Sequence, residues 1–153
     1  MTELKPGDPA PDVDLLDERG EPFRLADLRG KRVVLYFYPR ASTPGCTIEA
    51  CEFRDASKKF AGRNAIIVGL SPDKPAAQQK FKTNRNLPFT LLADTEKAAA
   101  QAYGVWKQKS FMGKKFMGIE RSTFVISEDG RIEKVFRKVK AAGHAAQVLE
   151  ALA

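Results

Sequence analysis

Val33-Val34-Leu35-Tyr36-Phe37-Tyr38-Pro39-Arg40-Ala41-Ser42-Thr43-Pro44-Gly45-Cys46-Thr47-Ile48-Glu49-Ala50-Cys51 changes character halfway along, and the rest of the chain is arranged around that change. Val33 to Tyr38 is an apolar run closed by Pro39, the pattern of a buried strand that stops. Thr43 followed by Pro44 predicts a helix start, with threonine as N-cap and proline at the first helical position. Cys46 then falls in the first helical turn. Unpaired backbone N–H groups and the positive end of the helix dipole favour an anion there, and the anion on offer is a thiolate. Such a group is a nucleophile awaiting an electrophile.

Upstream, Pro6, Gly7, Pro9 and Pro11 predict an extended N-terminal segment. Asp17-Glu18-Arg19-Gly20 is a turn between short strands around Val13 to Leu16 and Pro22 to Leu25, and Gly30 precedes a strand over Arg32 to Tyr38. Downstream, Thr47 to Ala61 reads as one helix stopped by Gly62. A second buried strand covers Ile66 to Leu70. Asp73-Lys74-Pro75 opens a helix running to about Asn86; Phe89 to Leu92 is strand-like, and Asp94 caps a short helix from Thr95 to Tyr103. Ser122 to Ile126 and Ile132 to Phe136 flank the hairpin turn Glu128-Asp129-Gly130, and Ala145 to Leu152 forms a closing helix. Strands separated by helices predict parallel pairing, and the late hairpin adds antiparallel strands. The expected class is α/β: a thioredoxin-like fold, its mixed central sheet flanked by helices, with an N-terminal extension, in a single domain over 1–153. A flavodoxin-like sheet is the second candidate, and the antiparallel hairpin counts against it.

With 153 residues, 43% hydrophobic and 29% charged, the chain can bury a substantial core. No apolar run approaches membrane-spanning length and the N-terminus lacks the apolar stretch of a signal peptide, so a cytoplasmic location without a membrane partner is expected. In a reducing compartment two cysteines are reactive or metal-binding before they are structural. His144 is the only histidine, which leaves a Cys/His metal site short of ligands. No metal or other cofactor is expected. Lys107 to Lys140 holds ten Lys/Arg against Glu120, Glu128, Asp129 and Glu133, most of the net charge of +7. Such a region can steer acidic partners or nucleic acid. Without aromatic interleaving or a helix-turn-helix pattern it reads as a solvated face, and nucleic acid is not an expected partner.

An ordinary thiol, pKa about 8.5, is only a few per cent thiolate at pH 7. Lowering a thiol to about 6 raises that roughly thirty-fold, a gain of at most about 2 kcal/mol, part of which is lost to weaker nucleophilicity. A fast reaction therefore needs alignment of the bond under attack and stabilisation of the departing atom; Thr43 and the Cys46 backbone N–H are suited to this by position. Cys46 and Cys51 are five apart, which in a helix means about 7.5 Å of rise, about 140° of rotation and a Cα separation of about 8 to 9 Å. That exceeds the roughly 7 Å limit for a disulfide, so the two can bridge only if the helix unwinds. Four intervening residues also exclude the two-residue spacing of thioredoxin-type oxidoreductases.

The run Tyr36-Phe37-Tyr38-Pro39, then Thr43-Pro44-Gly45-Cys46-Thr47 with Glu49, Cys51, Phe53, Arg54 and Asp55, resembles the active-site segment of peroxiredoxins, and most closely the bacterioferritin comigratory protein, or Q-type, subfamily. The likeness extends from Pro6-Gly7-Asp8-Pro9-Ala10-Pro11 to Gly118 through Ile126. It implies reduction of hydrogen peroxide and alkyl hydroperoxides without metal or flavin. It assigns Cys46 as the peroxidatic cysteine, Thr43 as the threonine that hydrogen-bonds peroxide and thiolate, Pro39 as the residue shielding the site, and Arg121 as the arginine supporting the thiolate. Gly45 joins Thr43 and Arg121 as an expected substrate contact. Cys51 matches the resolving cysteine, with thioredoxin, or alternatively glutaredoxin, as the reductant of a disulfide formed during turnover. The subfamily points to a monomer.

Other residues carry weaker signals. Glu49 and Arg54 read either as groups ordering the site or as helix surface. Trp106, Phe111, Met112, Phe116 and Met117 read as core cover before they read as the wall for a hydroperoxide tail or a reductase docking surface. His144 reads as a surface or capping residue. A redox-linked binder of nucleic acid or acidic partners, and a holdase chaperone, are the competing functions; neither explains Thr43-Pro44-Gly45-Cys46.

Overall fold

The computed structural model describes residues 3–152. Strand β3 (Arg32–Phe37) is central: it pairs in parallel with β4 (Ala65–Ser71) and antiparallel with β8 (Ser122–Ile126). Val33 to Tyr38 are at most 2% exposed, as expected of a strand with both faces covered. Val34, Tyr36 and Tyr38 face one core, with Phe53, Phe60, Phe81 and Val148; Val33, Leu35 and Phe37 face the other, with Leu70, Tyr103, Phe124 and Ile132. At about 1.5 to 3 kcal/mol for each large side chain removed from water, this strand is a principal source of stability.

The seven-stranded sheet runs β2-β1-β5-β4-β3-β8-β9, where β1 is Asp14–Asp17, β2 Pro22–Arg24, β5 Thr90–Ala93 and β9 Ile132–Phe136. Within it β4-β3-β8-β9 is the thioredoxin-like core, with helices α1 (Pro44–Asp55) and α2 (Ser57–Ala61) between β3 and β4, and α5 (His144–Ala151) following β9. The antiparallel β8–β9 pair excludes the flavodoxin-like alternative. Helix α3 (Pro75–Arg85) ends where Asn86 turns left-handed at φ 52°, and α4 (Ala98–Ala102) follows β5. The α4 start comes later than expected, although Asp94 does hold it: its carboxylate accepts the backbone N–H groups of Ala99 and Ala100.

Besides the α4 start, three features depart from the sequence reading. The helix anticipated over Thr47 to Ala61 is two helices, divided at Ala56, and the break sets Phe60 beside Phe53 with ring centroids 5.8 Å apart. A hairpin that the sequence did not reveal, β6 (Trp106–Phe111) and β7 (Lys114–Ile119), forms its own two-stranded sheet. His144 is buried, 2% exposed, between the ring edges of Phe53 and Phe136. Its Nε2 lies 2.6 Å from the Thr123 hydroxyl and its Nδ1 3.1 Å from Gln147 Oε1. Burial lowers its pKa, so the ring is neutral, accepting from Thr123 and donating to Gln147.

Candidate active site

At the end of β3 the chain leaves the sheet through Pro39-Arg40-Ala41-Ser42 and enters α1 at Pro44, with Thr43 extended at the N-cap position. The Thr43 hydroxyl does not cap the helix. It donates instead to the Arg40 carbonyl, 2.8 Å away, which leaves its oxygen lone pairs free to accept another hydrogen. The Arg40 carbonyl belongs to the same peptide unit as the Ala41 N–H, and that N–H donates to Asp73 Oδ2 at 2.7 Å. Asp73 in turn accepts from the Ser71 hydroxyl at 2.6 Å. Ser71 Oγ accepts from Gln78 Nε2 at 2.8 Å, and Gln78 Oε1 accepts from the Tyr38 hydroxyl. A chain of hydrogen bonds thus joins the end of β3 to the loop that aims Thr43, and each bond polarises the next. Ser42, left-handed at φ 65°, closes the turn.

Cys46 is 1% exposed in the first turn of α1. Arg121, in the link from β7 to β8, donates from Nη2 to Cys46 Sγ at 3.4 Å and from Nη1 to Glu49 Oε1 at 2.6 Å. Glu49 is fully buried and its Oε2 has no hydrogen-bond partner. Burial pushes the Glu49 carboxyl up to about 7, although Arg121 pulls the other way. Burial opposes the Arg121 charge, but Glu49 and Cys46 beside it hold the guanidinium above its usual range. One side chain therefore spans a thiol and a carboxyl. Gly45 lies against this guanidinium: a Cβ there would stand 3.3 Å from Arg121 Nη2.

The structure thus brings Cys46, Gly45 and Arg121 into contact, seats Thr43 at the head of the same helix, and places Pro39 with Arg121 along one groove. Cys51 is a partly buried free thiol in α1, and the intact helix separates it from Cys46, also free. Arg54 points elsewhere, donating to the Arg85 carbonyl at 2.7 Å and to Asp55 at 2.9 Å. Glu49, which the sequence leaves between ordering the site and helix surface, is buried against Arg121; its place one turn beyond Cys46, on the side of Ala50 and Phe53, is the available signal. The groove, about 690 Å³, is also lined by Lys107, Lys109, Phe111, Phe116, Lys138 and Val139. Among the described residues no group of three or more His, Cys, Asp and Glu side chains could hold a metal ion. No described helix is long and apolar enough to cross a membrane. A buried sulfur held by a guanidinium, in the helix whose N-cap residue carries a hydroxyl free to accept, suits attack on a small polarisable electrophile whose departing atom can take up a proton.

Comparison with known proteins points the same way. The model of the AhpC/TSA family matches residues 6–135. Peroxiredoxin Bcp of Bacillus subtilis is 51% identical over 146 residues, covering 95% of this chain and 93% of the relative. Peroxiredoxin Bcp of Escherichia coli is 44% identical over 144 residues, covering 94% and 92%. Among solved structures, the bacterioferritin comigratory protein of Xanthomonas campestris, described for its alkyl peroxide reduction activity, superposes with a TM-score of 0.87 at 38% identity, covering 92% of this chain and 89% of that one. A PrxQ mutant of Xylella fastidiosa gives 0.93 at 32% identity, covering 99% and 97%. With the family model spanning most of its length and relatives this similar along nearly all of it, the chain belongs to the AhpC/TSA family, among the peroxiredoxins of the bacterioferritin comigratory, or Q, type.

Proposed function

We propose that this chain, a peroxidase of the peroxiredoxin type, reduces hydrogen peroxide and alkyl hydroperoxides at Cys46. The observation carrying the reading is the Arg121 guanidinium 3.4 Å from the buried Cys46 sulfur at the start of α1. The thiolate attacks the nearer peroxide oxygen; the O–O bond breaks, the sulfur becomes a sulfenic acid, and the far oxygen leaves as water or an alcohol after taking a proton. Thr43, its own hydrogen committed to the Arg40 carbonyl, accepts the hydrogen of the attacked hydroperoxyl group and aligns it. Arg121 stabilises both the thiolate and the charge that develops on the peroxide oxygens. Glu49 holds Arg121 in place, Gly45 leaves room for it, and Pro39 shields the sulfur from bulk water.

The first turns of α1 then unwind, and Cys51 attacks the sulfenic sulfur, forming a disulfide and releasing water. Thioredoxin, with glutaredoxin as the alternative, returns both thiols. On this reading the enzyme acts as a monomeric single domain in the cytoplasm, in antioxidant defence. Stopped-flow mixing with peroxide tests it. Cys46→Ser abolishes consumption; Cys51→Ser retains one rapid turnover and loses cycling with thioredoxin. A surviving rate in the first variant would overturn the assignment of the nucleophile, and undiminished cycling in the second would overturn that of the resolving thiol.

A further inference from the structure

The β6–β7 hairpin lines the groove that ends at Arg121, yet no side chain of it has a role in the proposed peroxidase steps. Six large hydrophobic side chains are exposed in the described structure, and four of them sit here: Phe111 at 68%, Met112 at 87%, Phe116 at 48% and Met117 at 49%. The strands pair Phe111 with Lys114, Lys109 with Phe116 and Gln108 with Met117, leaving Met112-Gly113 as a two-residue turn. Met112 and Gly113 have φ of 52° and 80°, the left-handed pair that hairpin turns reserve for Asn-Gly or Asp-Gly. Methionine at the first of these positions opposes the local backbone preference and is almost wholly exposed at the apex. Its presence there has no explanation inside the fold.

Strand alternation sets Phe111 and Phe116 on one face of the hairpin and Met117 on the other, with Met112 at the tip. A protein partner docking on a sheet covers one face. An apolar tip surrounded on all sides instead suits a medium that closes around it. Lys114 and Lys115 stand immediately behind the apex, one on each face, with Lys109 and Lys107 further back. Four cations interleaved with the apolar side chains, Lys107 among them pairing with Glu3 at 3.7 Å, in the region holding most of the chain's net positive charge, complement a surface that is anionic outside and apolar just beneath.

We propose that the β6–β7 hairpin docks this protein on an anionic lipid bilayer, with Met112 and Phe111 at the tip entering the headgroup–acyl boundary, Phe116 and Met117 lying at the headgroup level, and Lys114 and Lys115 reaching back along their aliphatic stems to the phosphates. This is peripheral attachment and needs no spanning segment; it adds a membrane surface where the sequence leads to none. It does not rest on the peroxidase reading. The groove lined by Phe111 and Phe116 and ending at Arg121 and Pro39 would then open beside the lipid surface.

Sedimentation with vesicles of equal parts phosphatidylglycerol and phosphatidylcholine, against vesicles of phosphatidylcholine alone, is the test. The whole chain is expected to pellet with the anionic vesicles at low ionic strength, to release as salt rises, and to stay in solution with the neutral ones. Met112→Asn decides between insertion and diffuse attraction, because asparagine suits the turn: its melting temperature should hold or rise while vesicle affinity falls about ten-fold or more. Lys114→Glu with Lys115→Glu should abolish pelleting, and Cys46→Ser should pellet as the unmodified chain does. Failure to bind anionic vesicles overturns the proposal, as does wild-type affinity in Met112→Asn. Absent lipid binding combined with a Met112-dependent change in solution mass or in reductase turnover would place a second copy or a protein on this surface instead, and equally overturns it.

Discussion

Replacing Glu49 by glutamine separates the burial of this group from its charge. The Glu49 carboxyl is fully buried beside Arg121, with one oxygen unpartnered, and is pushed from 4.5 to about 7 on folding, chiefly by burial. A raised carboxyl holds its proton in the native state after the unfolded chain has released it. The associated stability is complete below pH 4.5 and is lost as pH rises through about 7. A shift of that size corresponds to about 3 kcal/mol. Glutamine keeps the shape and can still accept from Arg121, but does not titrate. Urea unfolding of both proteins under reducing conditions, from pH 4.5 to 8.5, isolates the term, because other titrations are common to both and cancel. The wild type is expected to lose about 3 kcal/mol relative to Glu49→Gln across this interval, with the steepest change between pH 5 and pH 7. A pH-independent difference would refute the burial argument. A difference of opposite slope would show that Arg121 holds Glu49 ionised outright.

Two other substitutions probe the frame around the site. Asp73→Ala removes the acceptor for Ala41 and frees the peptide that aims Thr43; the second-order rate of Cys46 oxidation should fall about ten-fold, with disulfide formation after oxidation unchanged, as rapid-mixing fluorescence and mass spectrometry would show. Equal losses in both steps would mean general unfolding of the loop. Gly69→Ala places a Cβ 2.8 Å from Leu91 Cδ2 and 2.9 Å from the Tyr36 ring; calorimetry should register a loss of about 1 to 3 kcal/mol, and an unchanged melting temperature would contradict the packing.

Strong local patterns carried most of the fold. Val33 to Tyr38 is buried on both faces and so is apolar without interruption, Thr43-Pro44 marks a helix start by backbone chemistry alone, and Gly130 marks the β8–β9 turn. The β6–β7 hairpin has no clear signature in the sequence because its outer half buries neither face, so no alternation arises, and because its turn carries methionine in place of asparagine. The burial of His144 depends on Phe53 and Phe136, remote in sequence, and no local pattern encodes it. The site divides in the same way. The position of Cys46 follows from neighbours in the chain, whereas Arg121 approaches across 75 positions and was anticipated only through family resemblance. Glu49 reads from the sequence equally as a site-ordering group or as helix surface, and its burial, orphaned oxygen and raised pKa appear only once the surrounding groups are assembled.

The missing cap at the head of α1 has a temporal meaning. A side-chain cap is worth about 1 kcal/mol to a helix, and a glycine within it costs about as much again. With the Thr43 hydroxyl turned back to Arg40 and Gly45 in the first turn, the frayed form of this end gains about thirty-fold in population over a capped, glycine-free equivalent. In the proposed cycle that population determines how long the sulfenic acid waits for Cys51. During the wait a second peroxide can carry the sulfur to sulfinic acid, from which thiols do not recover it. In that cycle a loosely tied helix end shortens the interval of danger, and the peroxide concentration the proposed enzyme tolerates depends on a hydrogen bond that the fold leaves unmade.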